Sequence, residues 1–183
     1  MIEYCKYLIA LLLTCCIVSC SSDVDFDQAD DIVLTPRVDA DLVFFTLGTE
    51  TFIDVSIPDT TVVVRDTTRL EFLDDSFVRD NIKQIELTFQ VDNSFLQSFT
   101  NRSVFLNENG IPQYMLEFTV APSTDGNSTR TIITEELDEN ELEAIRNSIQ
   151  LANEITLNTN GSFIDGTISL QSKALYTLEI GDF

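Results

Sequence analysis

The side chains able to do chemistry in this chain are almost all carboxylates. It holds 31 Asp and Glu against 10 Lys and Arg, and it has no histidine. Without imidazole there is no Ser-His-Asp or Cys-His nucleophilic site, and the commonest zinc and copper ligand is missing. Only six glycines are present and none forms a Gly-rich phosphate loop. What remains for catalysis is a carboxylate pair of the glycosidase kind, which needs only Asp or Glu. With so many acids, pairs at a suitable spacing arise by chance, so spacing identifies no catalytic residue. A non-enzymatic protein is expected.

Calcium is the other chemistry open to carboxylates. Asp23-Val24-Asp25-Phe26-Asp27 repeats the D-x-D-x-D opening of a twelve-residue calcium loop. Gln28 stands where that loop needs Gly, and Leu34 where it needs a bidentate Glu. No cofactor and no metal site is assigned. A weak surface calcium site at Asp74-Asp75, or on the acids between Glu135 and Glu143, is the residual expectation. Solvated carboxylates are the simpler one.

The cysteines are Cys5, Cys15, Cys16 and Cys20. None lies beyond residue 20, so an exported chain has no disulfide framework and must be stabilised by its core. Ahead of Cys20, the segment Met1–Ser19 carries Glu3 and Lys6 and the apolar run Tyr7–Val18. Those twelve residues fall short of the roughly 20 that span a bilayer and fit a secretory h-region. Ile17-Val18-Ser19-Cys20 resembles a lipobox, with Ile17 for the usual Leu and the small Ser19 before the cysteine. Cleavage at Cys15 or Cys16 would leave too short an apolar run. The resemblance implies cutting by signal peptidase II before Cys20, diacylglycerol on its sulfur and a further acyl chain on its amine. Three chains hold a protein in a membrane stably, at about 0.8 kcal/mol per buried methylene. An ordinary secretory signal, with Cys20 incidental, is the alternative.

This gives a signal peptide over 1–19, a lipidated acidic tether over 20–36 and one domain over 37–183. The tether carries Asp23, Asp25, Asp27, Asp30 and Asp31 against no base. Like charges extend it, and Ser21–Pro36 fully stretched reaches about 55 Å. Removing residues 1–19 from 183 leaves 164, enough for one domain with a core, and all 13 phenylalanines lie there. The net charge of −21 argues against nucleic acid, which needs clustered Lys and Arg. An acidic, solvated surface suits an exported protein.

Beyond Pro36 the dominant period is two. Ile85, Leu87, Phe89 and Val91 share one parity, as do Tyr114, Leu116, Phe118 and Val120, and Ile168, Leu170, Ala174, Tyr176, Leu178 and Ile180. Such alternation predicts strands with one buried face, Ile168–Ile180 bending near Ser172. Further strands are expected at Asp41–Leu47, Thr51–Ile57, Thr61–Arg65, Arg69–Leu73, Ser103–Leu106, Thr129–Thr134 and Ile155–Asn158. Turn residues separate them at Ile57–Asp59, Asn107–Gly110, Pro122–Asn127 and Asn158–Gly161. One helix is expected over Glu139–Gln150, opened by a capping box of Asp138 and Glu141 with Leu137 and Leu142 as a staple. Its Leu142, Ile145 and Ile149 face the core, and Glu139, Glu143 and Arg146 face water. The fold class is therefore all-β, an antiparallel β-sandwich, immunoglobulin-like in the broad sense, with one short α-helix near 139–150.

Gln28-Ala29-Asp30-Asp31, close behind Cys20, resembles the acidic export signal of Bacteroidota surface lipoproteins. Asp25-Phe26-Asp27-Gln28, followed by a Pro and an alternating Phe-rich chain, is similar to small flavobacterial lipoproteins. The resemblance implies an outer-membrane lipoprotein facing the cell exterior, and Ser21 agrees with outer-membrane sorting. Asp59-Thr60-Thr61 and Asp66-Thr67-Thr68 resemble the O-glycosylated Asp-Ser/Thr-x sites of that group, making Thr60 and Thr67 candidates beside an ordinary turn role. Asn101, Asn127 and Asn160 match N-x-[ST], a modification not expected in a bacterial lipoprotein. With no Trp, and with Tyr114 and Tyr176 at core parity, glycan platforms are poorly supplied. A binding or structural module on the anchor leads. A carboxylate hydrolase, or an accessory subunit beside an outer-membrane protein partner, are the other readings.

Overall fold

The period-two segments become eight strands: β1 (Arg37–Gly48), β2 (Thr61–Arg69), β3 (Ile82–Asn93), β4 (Phe99–Leu106), β5 (Pro112–Val120), β6 (Thr129–Glu136), β7 (Gln150–Asn158) and β8 (Thr167–Leu178). The computed structural model describes residues 33–52, 61–124, 127–158 and 164–181. One compact unit spans Leu34–Ile180.

The strands form two antiparallel sheets, ordered β1-β8-β3-β6 and β2-β7-β4-β5. The pairs β1·β8, β2·β7, β3·β6 and β4·β5 are those of one long hairpin with β4 and β5 at its tip. Rolling that hairpin adds β3·β8 and β4·β7. This is a jelly roll. The expected all-β antiparallel sandwich is present, and its strand order narrows the broad immunoglobulin-like expectation to that arrangement.

The predicted parity holds. Ile85, Leu87, Phe89 and Val91 of β3 and Ile168, Leu170, Ala174 and Tyr176 of β8 are buried in one core with Phe99, Phe105, Leu151, Ile155 and Leu157 of the other sheet. Phe89 meets Phe118 across the sandwich with ring centroids 5.8 Å apart. Ser172 shares the core parity of β8 and is buried among these apolar neighbours, opposite the bulge of β1 between Asp41 and Val43. Its Oγ accepts from Val43 N at 3.1 Å and donates to Val43 O at 3.3 Å, satisfying groups that the bulge leaves unpaired.

Two helices close one end, where the chain also enters and leaves: Leu34 and Ile180 exchange two main-chain hydrogen bonds of 2.8 Å. Helix α1 (Ser76–Asn81) links β2 to β3 and is capped by Asp75, which accepts from Phe77 N at 2.8 Å. Helix α2 (Glu139–Arg146) carries the expected capping box. It stops four residues before the expected Gln150. Ile149 N donates to Leu106 O at 2.9 Å and Gln150 already pairs in β7, so the sheet takes the backbone that the helix needed. The strand expected over Arg69–Leu73 is instead the end of β2 followed by a 3-10 turn, Glu71–Asp74. There Phe72 stacks on Tyr176 at 4.7 Å. Of the strand expected at Thr51–Ile57, Thr51 belongs to a 3-10 turn, Thr49–Thr51, and residues 53–57 lie outside the described residues. At the opposite end Phe52, Phe95 and Phe99 form an aromatic cluster, with ring centroids 5.3–5.7 Å apart. No helix among the described residues is long and apolar enough to cross a membrane.

Candidate functional site

A polar cleft of about 500 Å³ opens at the helix end, between α1, the β4–β5 turn and the end of α2. The turn is built by Asn107, whose Oδ1 accepts from Asn109 N at 2.9 Å and Ile111 N at 3.0 Å. Gly110 makes it possible by adopting φ +73°, the left-handed region that side chains disfavour. That geometry presents Glu108 and Asn109 to the cleft, with Gln113 of β5 beside them. Ile149, buried just ahead of β7, is the apolar part of the lining.

Two guanidinium groups line the other side. Arg79 of α1 donates from Nη1 to Leu73 O at 2.9 Å and reaches Asp74 O at 3.4 Å. Arg146, at the end of α2, pairs with Glu143 at 3.2 Å and donates through Nη2 to Ile82 O. Its Nε is buried without an acceptor. Arg146 was expected to face water; the Ile82 carbonyl, 64 residues away, draws it in instead.

The acids here are committed or solitary. Both oxygens of Asp74 accept from Arg69, at 2.7 and 2.8 Å. Glu108 is exposed on the turn. A hydrolase needs two free carboxyl groups flanking a substrate, and Asp74 is tied to Arg69.

Most of the acids weighed for calcium are also engaged. Asp75 caps α1, Glu141 accepts from Asp138 N at 3.0 Å, Glu143 pairs with Arg146, and Glu136 accepts from Gln84. Among the described residues no three metal-ligating side chains gather.

Cys20, Gln28, Ala29, Asp30, Asp31 and Thr60 lie outside the described residues. Thr67 is exposed in the middle of β2, opposite Ala152, so it is a strand residue and not the turn residue weighed from sequence. Asn101 is fully buried and closed to glycosylation. Sequence reasoning missed Arg79 altogether. A six-residue helix shows no usable period, and the available signal was only its rarity as a base in an acidic chain.

Two further polar arrangements are structural. On the outer face of the second sheet, Arg65, Glu154, Arg102 and Glu117 form a cross-strand row with Glu154 only 8% exposed. Inside the core, Asn101 Nδ2 donates to Ser103 Oγ at 3.1 Å, and Ser103 Oγ donates to Asn153 Oδ1 at 2.6 Å.

No family model matches this chain, and no curated protein matches it. Solved structures are similar at low identity. A "putative secreted protein" of Parabacteroides distasonis is 15% identical with a TM-score of 0.42, over 63% of this chain and 38% of that one. The VP2 subviral particle of infectious bursal disease virus is 10% identical with a TM-score of 0.42, over 81% and 33%. Desmodium yellow mottle tymovirus is 10% identical with a TM-score of 0.33, over 83% and 90%. This chain spans about a third of the length of the first two. None of these likenesses assigns an activity.

Proposed function

We propose that this chain is a lipid-anchored outer-membrane lipoprotein, displayed on the cell exterior, whose jelly roll is a non-catalytic binding or structural module. The observation that carries the anchor is Ile17-Val18-Ser19-Cys20 at the end of a twelve-residue apolar run. The absence of any cysteine after Cys20 agrees with it, since the thiol has no disulfide partner downstream. Display rests on Gln28-Ala29-Asp30-Asp31 within the acidic tether. The module reading rests on a filled sandwich core and on a cleft whose groups suit binding.

Intact-mass measurement of the protein from its membrane tests the anchor: acyl mass on Cys20 is expected, and an unmodified cysteine ends the reading. Cys20→Ala should abolish stable partition into detergent. For display, Asp30→Ala with Asp31→Ala should keep lipidation but protect the protein from protease added to intact cells. Equal protection of the unaltered protein would mean that it was never outside. A pull-down from solubilised outer membranes would recover a protein partner if it serves as an accessory subunit.

A further inference from the structure

We propose that the helix-end cleft binds a small oxyanion, the carboxylate or phosphate group of a small molecule, on Arg79 and Arg146. In a chain with three times as many acids as bases, a cation without a carboxylate is unusual. Among the described residues, Arg65, Arg69, Lys83, Arg102, Arg130, Arg146 and Lys173 each pair with one. Arg79 does not. Its guanidinium is partly buried and is fixed by the carbonyls of Leu73 and Asp74, which leave its charge uncompensated.

Asp74, whose main-chain carbonyl Arg79 reaches, has its carboxylate engaged by two hydrogen bonds from Arg69 and so does not compete for Arg79. Arg146 brings a second guanidinium to the same cleft, held by the Ile82 carbonyl. Planar guanidinium forks match carboxylate and phosphate oxygens, and such charge-assisted bonds are about twice as strong as neutral ones. The net charge of −21 opposes an anion at long range, but charges beyond about 10 Å are screened at 0.1 M salt. The local pair decides. Glu108 lines the same cleft, which favours a ligand bearing hydroxyl or ammonium donors beside its oxyanion. A volume of about 500 Å³ is of small-molecule size.

Calorimetric titration of the purified full chain with inorganic phosphate and with citrate, against chloride at matched ionic strength, tests this. Saturable binding of at least one is expected, and the tighter of the two tells phosphate from carboxylate. Arg79→Gln should weaken it by about tenfold or more, and Arg79→Lys by less, because lysine keeps the charge but loses the fork. Arg37→Gln, which removes an exposed cation at the start of β1, should change nothing. Absence of saturable binding to either anion overturns the proposal, as does equal weakening by Arg79→Gln and Arg37→Gln. The inference rests on the binding-module reading but not on the anchor, so its failure leaves the Cys20 and display tests untouched.

Discussion

Asp92 on β3 and Arg130 on the edge strand β6 face each other at one register position and share two hydrogen bonds. Arg130 Nε donates to Oδ1 at 2.8 Å, and Nη2 to Oδ2 at 3.2 Å. Asp92 also accepts from Gln90 at 3.1 Å. The Arg130 hydrogen bond, outweighing desolvation, holds the Asp92 carboxyl below its ordinary value of 3.8. The folded state therefore binds this proton less readily than the unfolded chain. The stabilisation is present above the unfolded value and fades as pH falls through the folded one. Asp92→Asn should lower stability at neutral pH and flatten the acid limb, read from urea midpoints between pH 7 and the acid transition. An unchanged limb would refute the pair's role.

Tyr114 makes the opposite prediction at high pH. Burial, with Glu141, Glu135 and Asp138 nearby, pushes its phenol up to about 12 from an ordinary 10. Tyr176, almost fully buried, is raised as well by desolvation. Both phenols stay protonated in the fold below pH 10; the contribution of Tyr114 is lost as pH climbs through about 12, and that of Tyr176 later still. Tyr114→Phe should lessen that alkaline loss. Absorbance titration of the phenolates should show both tyrosines ionising late, and an early pair would contradict the packing.

Strand register sets Leu178 apart from Glu179, Phe89 from Gln90 and Phe118 from Glu117. Leu178→Ala should cost about 2–5 kcal/mol, and Phe89→Ala about 3–5, through lost burial and a cavity. Phe118 on β5 is only partly buried and should cost less than Phe89. Glu179→Ala and Glu117→Ala should each stay within about 1 kcal/mol, because their pairs with Lys83 and Arg102 are exposed. Equal losses within a pair, measured by urea melts, would mean that the face assignment is wrong.

The core triad should behave as a unit. Ser103→Ala removes the acceptor of Asn101 and the donor to Asn153, leaving buried amides unpaired at about 1–3 kcal/mol. Replacing Asn101, Ser103 and Asn153 together by apolar residues should cost less than the three single losses summed. Strict additivity would show three independent sites.

Asp138 caps α2 with 2.8 and 2.9 Å bonds from Asn140 N and Glu141 N. Asp138→Ala should cost about 1 kcal/mol. Asp138→Asn should retain most of that, and a matching loss for both would assign the effect to charge instead of the cap.

What could be read from sequence is what neighbouring residues decide. The capping box of Asp138 and Glu141 closes within one turn, so composition over four residues reveals it. The pleat sends alternate side chains to opposite faces, so the parity of Leu87, Phe89 and Val91 names the buried face without knowledge of the partner strand. Sequence could mark Ser172 as an irregularity but not explain it, because the bulge it satisfies lies 129 residues away in β1. The end of α2 depended on Leu106 claiming Ile149, and the position of Arg146 depended on the Ile82 carbonyl. Strand order is of the same kind, since β1 pairs with β8 across nearly the whole domain. The cleft combines α1, the β4–β5 turn and α2, segments brought together only when the long hairpin rolls up. Local periodicity carries no record of which distant backbone group will be left seeking a partner, and such a group, the Ile82 carbonyl, placed Arg146.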